Sequence, residues 1–217
     1  MRLEHIEVTL PINSSGQLRD VDYVLTTREL ARMFKEAGVD LRDMPNEEFD
    51  DPLGKSTGAG VIFGATGGVL EAALRTIYEE VTGQELTDIN FTTVRGMVGV
   101  KEASVTLNGR EIRVVVASGL GNARQVLESI NKGTAMYDVI EVMACPGGCI
   151  NGGGQPYCQD HVGTIEQRIQ GLYALDEQYA IRKSHKNPAI QQLYREFLGE
   201  PGSHKAHELL HVDQLSI

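Results

Sequence analysis

Thirty Asp and Glu against twenty Lys and Arg leave this 217-residue chain with a formal net charge of −10. Nucleic acid and anionic membrane surfaces, which select for basic faces, are poor partners for it. No apolar run approaches the roughly 20 residues that span a bilayer, and three cysteines without a secretory leader point to a reducing, cytoplasmic setting.

Along the chain, residues 1–19 read as an irregular segment with a loop at Pro11 to Gln17. Asp22 to Thr26 reads as a short buried strand. Leu30, Met33, Phe34 and Ala37 recur at helical spacing from Arg28 to Ala37, with Thr26 or Thr27 as N-cap and Gly38 as the stop. Val39 to Thr57 is loop, and its run of six carboxylates and one Arg between Asp40 and Asp51 is a solvated stretch. Gly67 to Thr82 predicts a helix with Val69, Ala73, Leu74 and Ile77 inward, and Ile89 to Val94 a strand. Ser104–Leu107 and Glu111–Ala117 flank Asn108-Gly109, the dipeptide of a type I′ hairpin turn. A helix over Gly121–Asn131 and a strand over Tyr137–Met143 follow, then helices near 161–181, 188–198 and 204–211. The fold class is α/β: a mixed, largely parallel sheet flanked by helices, with a β-hairpin and a helical C-terminal tail. Residues 20–160 form the α/β lobe, and 161–217 are a helical extension of the same domain.

Chemistry concentrates in Met143-Ala-Cys-Pro-Gly-Gly-Cys149 and the Gly152-Gly153-Gly154 that follows. Pro and consecutive Gly exclude a helix, so Cys145 and Cys149 sit on a turned loop at the carboxyl end of a strand, where ligands collect in open α/β sheets. Between Lys132 and Arg168 there is no Lys or Arg, which disfavours a phosphate. Thiolates on bare backbone suit an iron–sulfur cluster. A buried thiol pair, a disulfide and a zinc site are the competing readings. The glycine-rich run Thr57–Gly68 fits neither the dinucleotide nor the P-loop fingerprint. His207-Glu-Leu-Leu-His211 matches the short zinc-protease pattern. With six residues after it, it reads instead as an amphipathic helix docking Leu209 and Leu210 on the core. His185 reads as structural or surface.

The cysteine segment resembles the third signature motif of the iron-only (di-iron) hydrogenases. The similarity extends through Thr26–Leu30, Gly60–Gly68, Arg182–His185 and Ala206–His211, about residues 20 to 212. It implies one lobe of a bilobal hydrogenase domain. It also implies the H-cluster, a four-iron four-sulfur cluster bridged to a di-iron subsite that carries CO, cyanide and a dithiolate. By motif position Cys149 resembles the bridging ligand, Cys145 a ligand of the four-iron cluster, and Met143 a side chain packed near the di-iron subsite. Phe63 and Gly64 would wall a dry gas pocket. The implied activity is reversible H2 oxidation and proton reduction, linked to ferredoxin or, through a diaphorase subunit, to NAD(P). The family's two other cluster cysteines belong to earlier motifs that this sequence lacks, as it lacks their lysine and proton-relay groups. The chain is therefore expected to be inactive without a polypeptide carrying the N-terminal lobe, as a split subunit or a fragment of a longer hydrogenase. Cys158 is a thiol outside the family pattern. The alternative is a hydrogenase-like iron–sulfur protein without the di-iron subsite, acting non-enzymatically in cluster assembly; Met143, Phe63-Gly64 and Arg182–His185 favour the hydrogenase.

Overall fold

Asn108 and Gly109, at φ 47° and 79°, turn the chain between β1 (Val100–Leu107) and β2 (Arg110–Ser118), which pair antiparallel in the computed structural model. The structure describes residues 22–48, 50, 54–96 and 99–211; the segment expected to be irregular at 1–19 lies outside them. These residues divide into two units. One holds the described residues of 50–152 and 157–188, and the other those up to 48, 153–156 and from Ala189 on.

In the larger unit β2 is the central strand. Its far side pairs in parallel with β3 (Val139–Met143), giving the order β1-β2-β3. The sheet is mixed as expected, and the parallel character belongs to one of its two pairings. Val114 to Ala117 are completely buried, because helices cover both faces and a strand so placed can be apolar without alternation. On one face Val114 and Val116 pack with Leu70 and Leu74 of a long helix and with Val94. On the other, Val115 and Ala117 meet Ala123 and Val126 of the crossover helix Leu120–Asn131.

The described helices are α1 (Thr27–Ala37), α2 (Gly58–Val61), α3 (Gly68–Thr82), α4 (Leu120–Asn131), α5 (His161–Gln178), α6 (Pro188–Leu193) and α7 (His204–Leu210). The helix expected over 188–198 divides, since Tyr194–Leu198 winds as a π-turn. Two expected strands are absent among the described residues. Ile89 to Val94 is loop ending in a 3-10 turn over Thr92–Val94. The Ile89 carbonyl accepts from Arg75 Nε at 3.0 Å instead of entering a ladder. Asp22 to Thr26 has no ladder partner, and Tyr23 is 86% exposed.

The buried face of α3 also differs from expectation. Leu74 is inward, but Val69, Ala73 and Ile77 are only partly covered, while Leu70, Glu71, Ala72 and Arg75 are buried. Charges enter the core because they satisfy one another. Arg75 Nη2 donates to Glu71 Oε1 at 2.7 Å and to Asp176 Oδ2 at 2.8 Å. Its Nη1 donates to Asp176 Oδ1 at 2.9 Å and to the Arg182 carbonyl at 3.0 Å. With Nε on Ile89, every nitrogen of this fully buried guanidinium is engaged. Arg95 reaches Glu71 from outside and lies 3.8 Å over the Tyr173 ring. Arg182 completes Asp176 at 2.6 Å. This network ties α3 to α5.

Candidate metal centre

The cysteine loop leaves the carboxyl end of β3, as the sequence implies. Met143, the last residue of the strand, is paired with Ser118 and accepts from the Gly119 N–H at 2.7 Å through its carbonyl. The chain then folds back on itself: Gly148 N–H donates to the Cys145 carbonyl at 2.9 Å, and Gly152 N–H to that of Cys149 at 2.9 Å. Cys149 opens a single 3-10 turn over Cys149–Asn151. Gly147 and Gly148 have φ of 86° and 98°, a region that side-chain-bearing residues avoid.

Gly148 also makes the closest approach. A Cβ there would sit 2.6 Å from the Gly64 carbonyl oxygen and 2.8 Å from the Thr66 nitrogen. The loop is thus pressed against the glycine-rich segment that follows α2. Thr66 N–H donates to the Gly147 carbonyl at 3.1 Å, and Gly147 N–H to Ser118 Oγ at 3.1 Å. Gly64 itself faces Ile150 and Leu172. The two segments singled out in the sequence, one bearing Cys145 and Cys149 and the other Phe63 and Gly64, are brought side by side.

Glu141 sets the angle of that second segment. It is a buried carboxylate on β3 that accepts from Gly67 N–H at 2.6 Å and Leu70 N–H at 2.7 Å, capping α3 from another element. Burial pushes its carboxyl up from the ordinary glutamate range, and the two amide donors offset part of this. Sequence reading missed Glu141. Its signal was a single acid inside the apolar run Val139–Met143, where a charge without a partner would be too costly to keep. Ser118 and Thr66, 3.5 Å apart and buried, form the other tie.

None of the three cysteines forms a disulfide; Cys145 and Cys158 are partly covered and Cys149 is exposed. Met143 is partly buried and Phe63 is 45% exposed. Arg168 donates from Nη1 to the Ile150 carbonyl at 2.7 Å. Among the described residues no three His, Cys, Asp or Glu side chains are gathered so as to hold a metal ion. The donor set nevertheless suits a soft metal cluster in part. Two thiols lie on backbone stripped of side chains, and Gly148 is held where no Cβ fits. Cys145 and Cys149 are thus the candidate donors here.

The triple glycine divides its work. In the smaller unit, a Cβ on Gly154 would lie 2.6 Å from Thr26 Cβ, and the Gly153 and Gly154 carbonyls accept from Arg28 at 2.9 and 3.3 Å. Gln155 Nε2 donates to Thr27 Oγ1 at 3.0 Å. Gly154 is therefore bare because it seats the N-terminus of α1.

The histidine-rich C-terminal helix does not gather a site. The His207 and His211 rings stack at 4.5 Å. Leu209 and Leu210, expected on the core, are 50% and 55% exposed; Ala206 is the buried residue of α7. In so short a helix the face chosen by Ala206 leaves both leucines outside. His185 is structural, bonded to Glu79 at 2.7 Å and Thr76 at 3.1 Å.

Residues 5–153 match the family described as iron only hydrogenase large subunit, C-terminal domain, and residues 161–213 match the iron hydrogenase small subunit. The NADP-reducing hydrogenase subunit HndD of Solidesulfovibrio fructosivorans is 54% identical over 89% of this chain and 33% of its own length. Cytosolic iron-sulfur assembly component 3 of Rattus norvegicus is 33% identical over 92% of this chain and 42% of its own. Among solved structures, a variant of the FeFe-hydrogenase HydA1 from Chlamydomonas reinhardtii superposes with a TM-score of 0.74 at 42% identity. That match covers 91% of this chain and 56% of the solved one. The chain thus spans well under two thirds of these relatives. No helix among the described residues is long and apolar enough to cross a membrane.

Proposed function

The chain belongs to the iron-only hydrogenase family, and from that premise we propose that it supplies the Cys145 and Cys149 thiolates to an H-cluster completed by another polypeptide segment. The observation that carries this reading is the contact at Gly148, which sets the cysteine loop against Gly64 and Thr66. When bound, the cluster would supply the iron site for H2 cleavage and the route for electrons. The chain's own residues do the rest. Cys145 and Cys149 would hold the cluster, with Cys149 as the ligand shared with the di-iron subsite. The bare amides of Gly147 and Gly148 leave room beside the sulfurs. Phe63 and Gly64 form one wall, and Met143 packs at the strand end beneath it. Glu141 holds that wall to β3 through Gly67 and Leu70. The remaining ligands come from a partner bearing the N-terminal lobe. Electrons would pass to ferredoxin or a diaphorase-type subunit in the cytoplasm; the NADP-reducing relative supports the link to NAD(P).

The test is assembly of the chain with the remaining portion of a related hydrogenase and maturation factors, without oxygen. Infrared bands of metal-bound CO and cyanide, with H2 uptake, are expected in the complex and absent from either part. Cys149→Ser should abolish both. Zinc in place of iron, or bands that survive Cys149→Ser, would refute the proposal. Similarity to the iron–sulfur assembly component favours a second reading, a cluster-bearing assembly factor. It predicts iron and sulfide in the complex with no CO or cyanide bands.

A further inference from the structure

The glycines of the run Thr57–Gly68 are explained by what their missing side chains let approach. A Cβ on Gly67 would lie 2.0 Å from the Val94 carbonyl oxygen, and one on Gly68 would lie 1.8 Å from that of Ile62. These two close the turn into α3 that Glu141 holds. Gly58 differs, because it meets a charged side chain. Its Cβ would sit 2.1 Å from Asp176 Oδ1 and 2.8 Å from the Asp176 carbonyl oxygen. The first residue of α2 is therefore pressed against a carboxylate of α5, and its N–H donates to the Ile181 carbonyl at 2.9 Å. That carboxylate is itself held. Asp176 is fully buried, accepts from Arg75 at 2.9 and 2.8 Å, one bond to each oxygen, and accepts at Oδ2 from Arg182 at 2.6 Å. All three hydrogen bonds are charge-assisted, the strong and directional kind.

Helix α2 runs without a break into the 3-10 turn Ile62–Gly64, so the place of Gly58 sets the place of Phe63 and Gly64. Ala59, Ile62 and Ala65 pack with Tyr173, one turn before Asp176 on α5, and Gly64 meets Leu172 of the same helix. We propose that Asp176 is a positioning residue for the pocket wall. Pinned by Arg75 and Arg182, it stops α2 at Gly58 and so sets how Phe63 and Gly64 lie against the cysteine loop. A tie between α3 and α5 accounts for Asp176 and Arg75, but it has no need of a bare residue at position 58. Glycine is a poorer helix former than alanine, and what requires it there is the carboxylate. The inference deepens the proposed function, on which the use of that wall rests.

The experiment reads the wall in the full chain by amide exchange. Thr66 N–H donates to the Gly147 carbonyl, so its exchange reports the contact between wall and cysteine loop. Val114 to Ala117, buried in the central strand, report global opening. Gly58→Ala should quicken exchange at Thr66 by about tenfold or more relative to that reference. Arg182→Gln, at a partly exposed side chain, removes one donor to Asp176 without touching α2. It should act in the same direction by about threefold or more, and Arg182→Lys should restore the parent ratio. Val126→Ala, on the other face of the sheet, should quicken both sets of amides alike. Where Gly58→Ala does not fold, Arg182→Gln decides. A ratio unchanged in the folded variants, with Thr66 moving only in step with Val114 to Ala117, would make Asp176 a core ion pair alone and overturn the proposal. In the assembled complex the infrared CO bands should shift in Arg182→Gln and return in Arg182→Lys. Unmoved bands beside a changed Thr66 ratio would also overturn it. A parent complex without CO bands would remove the proposed function, and the exchange ratio by itself would then decide whether Asp176 positions the wall.

Discussion

Helices α1 and α3 each end on a left-handed glycine, Gly38 and Gly83, and each carries a helical apolar stripe. Yet α3 buries Leu70, Leu74 and the entire Arg75 side chain, whereas α1 buries nothing. Both helices satisfy their local rules, so capping and periodicity decide where a helix forms and say little about what it packs on. The partner of α3 is written elsewhere in the same chain, in β2 and α5. For α1 the described residues offer only a seat for its N-terminus at Gly153 and Gly154.

The contrast is broken most severely at Arg75. Arg75→Leu leaves Glu71 and Asp176 buried with one cation fewer each, and should cost about 3–5 kcal/mol in urea unfolding followed by circular dichroism. Met33→Asp, at a half-exposed position of α1, should stay within about 0.5 kcal/mol in the same assay. Comparable losses from the two would mean that α1 is already packed. Gly148→Ala comes next. It puts a side chain at φ 98° and 2.6 Å from the Gly64 carbonyl, so the loop must move at a cost of about 1–3 kcal/mol. Iron retention in the assembled complex should fall with it, whereas Gly153→Ala, which meets nothing within 4 Å, should leave iron content unchanged.

The hairpin at Asn108-Gly109, the extents of α1 and α4, and the cysteine loop at the end of β3 were legible in the sequence because each follows from local chemistry. The buried face of α3 was not, since Glu71 and Arg75 read as solvent-facing until Asp176, a hundred residues on, supplies their partner. Ile89 to Val94 alternates well enough for a strand, but Arg75 claims the Ile89 carbonyl. Asp22 to Thr26 failed for the opposite reason: its pattern asks for a ladder partner, and none is found among the described residues. At the candidate site the thiols and the Phe63-Gly64 segment were visible as motifs. Glu141, which aligns them, was hidden as one acid in a strand.

Acid should separate the two regions further. Burial works against ionisation of Glu79, but hydrogen bonds from Lys183, the Leu86 N–H, His185 and Lys186 outweigh it, and its carboxyl lies well below the usual range. Asp176 is likewise buried, and is held below its usual range by Arg75 and Arg182. Groups depressed in the folded state contribute stability that is present above their ordinary values, 4.5 and 3.8. That stability is lost as pH falls through the folded values. The larger unit should therefore lose stability in acid, and Glu79→Gln should flatten the decline in urea midpoint below pH 4.5. An unchanged slope would remove Glu79 from the account.

Thr26→Ala should have the smallest effect and tests α1 from its other end. Thr26 Oγ1 accepts from Glu29 N–H at 3.3 Å, and Glu29 Oε2 accepts from Thr26 N–H at 2.8 Å, so the substitution removes one half of a reciprocal cap. Such caps contribute about 1 kcal/mol, equivalent to roughly fivefold faster amide exchange in the first turns of α1. In the free chain that acceleration should appear in full, because no residue of this helix is buried. An acceleration well below roughly fivefold would show that contacts beyond the cap already hold α1.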